Sequence, residues 1–236
     1  MGETLTLLSF GDTGWGDEIA SGVFITVALA LCTLPVGLFI GLIVAIAKQS
    51  EEWTLRVSAD IYTTIFRGLP ELLTLFIVYF GMQIGIRQVA LAMGFETGIE
   101  INAFVAGVIA LAFVFSAYAS EVFLSAFRAI PKGQYEGGYA LGMRRGRVMR
   151  LIILPQLIRI ALPGLGNLWM ILLKDTALVS AIGLSDILRQ TGVAARVTKE
   201  AFMFFSLACV LFLVLALLSS VVFGRIEKAA KRSEVR

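Results

Sequence analysis

The chain has 236 residues, 58% of them hydrophobic and 16% charged, with a formal net charge of +3. Soluble domains average about 45–50% apolar and about 25% charged, so lipid is the expected solvent for much of this surface. There is no histidine and there are only two cysteines, which excludes histidine metal sites and Ser-His-Asp or Cys-His catalysis; the small positive charge calls for no nucleic acid, because basic flanks beside anionic lipid account for it.

Residues 1–20 carry Glu3, Asp12, Asp17 and Glu18 but no Lys or Arg. A cleaved leader would open with a positive segment, so the first apolar run is expected to be retained. Residues 21–47, 102–120 and 201–224 contain no charge at all. Runs of roughly 18 such residues are long enough to cross the ~30 Å hydrocarbon core as a helix, and helices satisfy their own backbone polar groups there. The roughly ten-residue alternating strands of a barrel are not visible.

Five spans are predicted: residues 21–47, 55–86, 102–127, 151–173 and 201–223. The second is interrupted at Gly68-Leu69-Pro70, and the fourth contains Pro155 and Pro163. Such breaks either kink a helix for packing or open it beside a transport path. Cys32 and Cys209 lie within apolar runs and are expected as small buried residues. Gly37-x-x-x-Gly41 and Gly81-x-x-x-Gly85 are candidate packing faces without an assigned partner. The expected fold is all-α: one polytopic membrane domain over residues 1–236.

Orientation follows from Lys and Arg in short loops. Loop 48–56 has two, loop 128–150 six and the tail five, thirteen on one side. The segment before the first span has none, loop 87–101 one and loop 174–200 four, five on the other side. The N-terminus is expected outside, with loop 128–150 and the C-terminus in the cytoplasm.

Ionisable groups inside spans are costly in lipid, about 2.5–3.5 kcal/mol each on insertion scales, and so face a cavity or a partner. Arg67 and Glu71 flank the Gly68/Pro70 break, Glu121 lies near the cytoplasmic end of the third span, and Lys174-Asp175 ends the fourth, below Asn167. These six are the candidate substrate path. The competing reading is a structural Arg67–Glu71 ion pair.

Loop 128–150 is unusual for a connector. Pro131 signals a helix start, Glu136 falls in its early turns, Gly142 suits a helix end, and a second short basic helix should follow from Arg144 to Arg150. It is either a knob shaped for another protein's groove or a helix lying on lipid. Glu136-Gly137-Gly138, Gly142 after three residues, and Ile152-Ile153-Leu154-Pro155 after nine more resemble the EAA loop of ATP-binding-cassette importer permeases. Gly137 and Gly138 stand where alanines are usual, which weakens the short helix by roughly 0.5–1 kcal/mol per position. Phe66-Arg67-Gly68-Leu69-Pro70, Ile130-Pro131-Lys132-Gly133-Gln134, Ala140-Leu141-Gly142-Met143 and Leu172-Leu173-Lys174-Asp175-Thr176-Ala177-Leu178 resemble words of the polar amino acid branch. Gly81-Met82-Gln83-Ile84 and residues 94–108 resemble its Q-type subunits, which serve histidine/lysine/arginine/ornithine or opine importers.

The resemblance implies a type I importer permease fold and alternating access, with a zwitterionic amino acid whose carboxylate Arg67 or Lys174 would take and whose amine Glu71, Glu121 or Asp175 would take. It implies an ATPase, in two copies, gripping Gln134, Glu136, Gly137, Gly138, Gly142, Arg144 and Arg147. It further implies a second permease, a sister chain rather than a copy, and a periplasmic amino-acid-binding protein. No G-x-x-x-x-G-K-[ST] occurs in the sequence, so ATP and Mg would belong to the ATPase, and no cofactor, metal or catalytic residue is expected here. The alternatives are a secondary carrier, expected to show an inverted repeat that is not evident, an intramembrane enzyme, which would need a catalytic pairing, and an assembly factor.

Overall fold

A computed structural model describes residues 6–11, 14–94 and 102–232. Every regular element among these residues is helical. In chain order the α-helices are α1 (Gly16–Lys48), α2 (Trp53–Gly68), α3 (Glu71–Ala92), α4 (Ala103–Ala129), α5 (Lys132–Ala140), α6 (Arg145–Val148), α7 (Leu154–Asp175), α8 (Ile187–Thr198) and α9 (Ala201–Arg232), with a π turn at Met149–Ile153 and a 3-10 helix at Thr176–Ile182. Among the described residues, five helices are long and apolar enough to cross a membrane: Gly16–Lys48, Glu71–Ala92, Ala103–Ala129, Arg145–Ile182 and Ala201–Ala230.

The five-span expectation holds, with two corrections. The second span is two helices rather than one interrupted helix over 55–86. Leu69 (ψ 144°) and Pro70 (ψ 133°) are extended, because the proline ring drives the preceding residue out of the helical region. Only α3 is a candidate crossing; α2 carries Arg56, Asp60 and Arg67 and is mostly exposed. The fourth span, expected over 151–173, is one rod from Arg145 to Ile182, and the basic segment after Arg144 is its first turn instead of a separate helix. Within the rod, residues 149–153 form a π turn in which the Leu154 amide reaches the Met149 carbonyl. Pro155 follows immediately and has no N–H to give. A widened turn is where a helix absorbs that missing bond.

The centre of the fold is α4, which packs against α1, α2, α3 and α7. Small residues make the α1–α4 approach possible. A Cβ on Gly37 would lie 2.5 Å from Phe115, and one on Gly41 2.9 Å from Ala119. Without a hydrophobic force between helices in lipid, this closeness supplies the van der Waals and Cα–H contacts that hold them. By contrast, a Cβ on Gly81 or Gly85 would meet nothing within 4 Å, so that face has no partner inside the described chain. Cys32 and Cys209, expected buried, are free and exposed. They sit among exposed apolar residues such as Leu31 and Val210, where lipid needs no polar covering. Residues 95–101, within the 94–108 stretch, lie outside the described residues.

Candidate functional site

The break before Pro70 organises the charges. Arg67, in the last turn of α2, reaches Glu121 on α4 at 3.3 Å and lies over the Tyr118 ring at 5.6 Å. Lys48, ending α1, contacts the same Glu121 oxygen at 2.6 Å and Asp60 of α2 at 3.3 Å. The result is a four-membered network, Asp60–Lys48–Glu121–Arg67, joining three helices. Its Lys48 side chain is only 8% exposed, whereas Arg67 is 44% exposed. The structural ion pair expected between Arg67 and Glu71 does not form: Arg67 turns to Glu121, because the extended break at Leu69-Pro70 removes the helical spacing that would have stacked residues 67 and 71.

Aromatic side chains brace this network. The Tyr62 hydroxyl lies 2.6 Å from Ser116 Oγ and donates to the Phe113 carbonyl at 3.0 Å. Phe66 stacks on Phe113 with ring centroids 5.4 Å apart. Thus α2 is held to α4 by hydroxyl, ring and charge together.

Beyond the break, Glu71 opens α3 and Asp175 closes α7. The two carboxylates interact repulsively, and Lys174 offsets part of that repulsion. Asn167, Ile171 and Lys174 are all exposed; at spacings of four and seven they share one face of α7. The structure therefore gathers Arg67 with Glu121, and Glu71 with Lys174 and Asp175, on either side of one break. Asn167 shares the α7 face but touches neither group. Lys48 and Asp60 were missed as members. Lys48 reads in sequence only as a loop charge, and Asp60 falls in a polar stretch of α2 whose partner, Lys48, ends another helix 12 residues earlier.

The second candidate region is α5. Pro131 precedes it in an extended conformation. Its end is a Schellman motif: the Gly142 amide donates to the Tyr139 carbonyl at 2.9 Å and the Met143 amide to the Gly138 carbonyl at 3.1 Å. Gly142 has φ +72°, a conformation that costs other residues about 1–2 kcal/mol. The glycine at 138 also has a reason, since a Cβ there would stand 2.7 Å from Val148; α5 presses on the foot of the α6–α7 rod. Gln156 of α7 donates to the Gln134 side chain at 3.1 Å. Gln134, Glu136, Gly137, Gly142, Arg144 and Arg147 are all exposed. Tyr139 and Leu141, 78% exposed, share that surface and were not singled out from sequence; an apolar residue next to a left-handed glycine was the available signal. Burial beside Tyr139 raises the Tyr135 phenol above its ordinary value.

A family model described as "Binding-protein-dependent transport system inner membrane component" matches residues 37–232. The chain is 44% identical over 229 residues to the nopaline transport system permease protein NocQ of Agrobacterium fabrum, covering 97% of each. It is 39% identical to the histidine/lysine/arginine/ornithine transport system permease protein HisQ of Escherichia coli, over 91% of this chain and 94% of that one. A crystal structure of an amino acid ABC transporter with histidines superposes with a TM-score of 0.76 at 32% identity, over 91% of this chain and 95% of that chain. With a helical membrane fold and a matching model over most of its length, the chain belongs to the family of inner-membrane components of binding-protein-dependent transport systems.

Proposed function

We propose that this chain is a permease subunit of an ATP-driven importer for polar amino acids, with basic amino acids or opines as the substrate class. One observation carries the reading. An exposed, glycine-terminated helix, α5, is packed through Gly138 and Gln134 onto a continuous rod whose far end bears Lys174 and Asp175. A push on α5 is thereby transmitted to the charged path without passing through a flexible loop.

A separate ATPase, in two copies and using ATP and Mg, would grip Gln134, Glu136, Gly137, Gly142, Arg144 and Arg147, together with Tyr139 and Leu141. Gly138 would act from beneath, by seating α5 on Val148. A sister permease would cover the open faces of α3 and α7, closing the path along Arg67, Glu71, Glu121, Asn167, Lys174 and Asp175. Three carboxylates among those six residues favour a cationic substrate. The N-terminus would lie in the periplasm and α5 in the cytoplasm, as the basic loops require. This chain would itself hold no cofactor or metal. Relatives named as permeases of nopaline and of basic amino acids support the substrate class. No observation supports the alternative of a secondary carrier.

The test is uptake into proteoliposomes holding the chain, its sister permease and the ATPase, with the binding protein supplied outside. Radiolabelled arginine or an opine should accumulate only with ATP inside. Equal accumulation without ATP would overturn the proposal.

A further inference from the structure

Helix α8 is clamped by one face only. The Asp186 carboxylate accepts the Arg189 amide at 2.9 Å, and Thr26 of α1 accepts the Ile187 amide at 3.3 Å. Gly22 allows the approach, since a Cβ there would stand 2.9 Å from the Asp186 carbonyl. Ile187, Thr191, Ala194 and Ala195 are buried. This anchoring fixes the opposite face. Arg189, Gly192 and Arg196, at spacings of three and seven, lie along it.

They border a pocket of about 420 Å³ that Ser180, Ala201 and Phe205 close. A Cβ on Gly192 would meet nothing within 4 Å, so the floor between the two arginines is open. Arg189 donates to the Ser180 carbonyl at 3.3 Å. Arg196 forms no ion pair among the described residues, and no carboxylate lines the pocket. Arg189 is within electrostatic reach of the buried Asp186 carboxylate, whereas Arg196 has no such partner among the salt bridges, and two guanidiniums on one pocket invite an anion. Arginines on the outer side also run against the basic bias that orients the chain.

Transport in this family depends on a binding protein. A free amino acid would bring an ammonium group for which this pocket offers no carboxylate; an acidic side chain of a protein brings none. We infer that the Arg189–Arg196 pocket is an anchor for the binding protein, receiving an Asp or Glu from its surface. The inference rests on the orientation given under Proposed function.

The test uses the complete transporter in lipid nanodiscs and the substrate-loaded binding protein, with affinity measured at low and high salt. R196E and the double variant R189E/R196E should weaken binding about tenfold and flatten its salt dependence, while R196K stays close to the parent. Size-exclusion profiles report whether each variant assembles. Unchanged affinity in an assembled double variant overturns the inference. So does unchanged affinity with impaired amino acid uptake, which would assign the pocket to the transported molecule. Orientation is read separately with V197C in a C32A/C209A background, since Val197 is 66% exposed. A membrane-impermeant maleimide should label it in intact cells. Labelling only from the cytoplasmic side would sink the orientation itself, whereas labelling from outside with unchanged affinity would sink only the docking site.

Discussion

Lys48 Nζ and Glu121 Oε1 meet at 2.6 Å, joining the end of α1 to α4 two turns before α4 runs into the segment that carries α5. The pair sits between two weaker contacts, Lys48–Asp60 and Arg67–Glu121, each at 3.3 Å. The Gly68-Leu69-Pro70 break is thereby tied to both long helices.

Glu121→Gln should lower the thermal stability of the detergent-solubilised chain by about 1–3 kcal/mol, between the limits for exposed and buried pairs. It leaves Lys48, which is 8% exposed, with only the longer contact to Asp60. Reversing the pair as K48E/E121K should recover part of the loss, because Asp60 and Arg67 then face the wrong signs. A double-mutant cycle read by thermal unfolding checks this; strict additivity of the two single changes would count against the network.

Gly142→Val should leave the spans folded and impair transport. The left-handed φ of +72° is strained for a β-branched side chain, so the Schellman ending of α5 would open. Co-purification of the ATPase should fall at least several-fold, with little change in the chain's own yield.

Leu141→Asp addresses the same surface by charge. Leu141 is 78% exposed, so the substitution should move intrinsic stability by less than about 0.5 kcal/mol. ATP-dependent uptake should nevertheless drop strongly. Wild-type uptake in this variant would remove Leu141 from the proposed ATPase contact.

Asp186 gives a pH dependence outside the spans. Burial pushes its carboxyl up to about 6, against the opposing pull of the backbone amides around Arg189. A folded pKa above the unfolded value means that the folded state holds the proton more tightly. This group's contribution is therefore fully present below about 4 and is lost as pH rises through about 6. Its size is on the order of 2–3 kcal/mol. Asp186→Asn keeps the cap oxygen and removes the charge. It should flatten the profile between pH 4 and 7 and raise the melting temperature at pH 7.5, as a thermal shift series will read.

Sequence made the spans legible because uncharged runs of this length have no other stable use in lipid. The α5 ending was legible for the same kind of reason: Pro131 and Gly142 each have one conformational role there. What stayed hidden depends on distance between helices. Nothing near Glu121 in the chain announces Lys48, 73 residues earlier, and the spacing of Arg67 and Glu71 suggested a helical pair that Pro70 forbids. Whether Cys32 and Cys209 face core or lipid is likewise unwritten in apolar runs, since both environments accept the same residues.

The π turn at residues 149–153 has a consequence for phase. Each residue of an α-helix advances its neighbours by about 100°, so a wide turn that accommodates one extra residue preserves the angular offset between α5's seat at Val148 and the face bearing Asn167 and Lys174. Deleting a single residue there would restore ordinary winding and still fill the bilayer. The faces above and below would keep nearly the same phase, whereas the same deletion in an α-helical part of the rod would swing its inner face by about 100°. Under the proposed coupling the bulge would work as a keyway, keeping the angle at which a stroke delivered below arrives above.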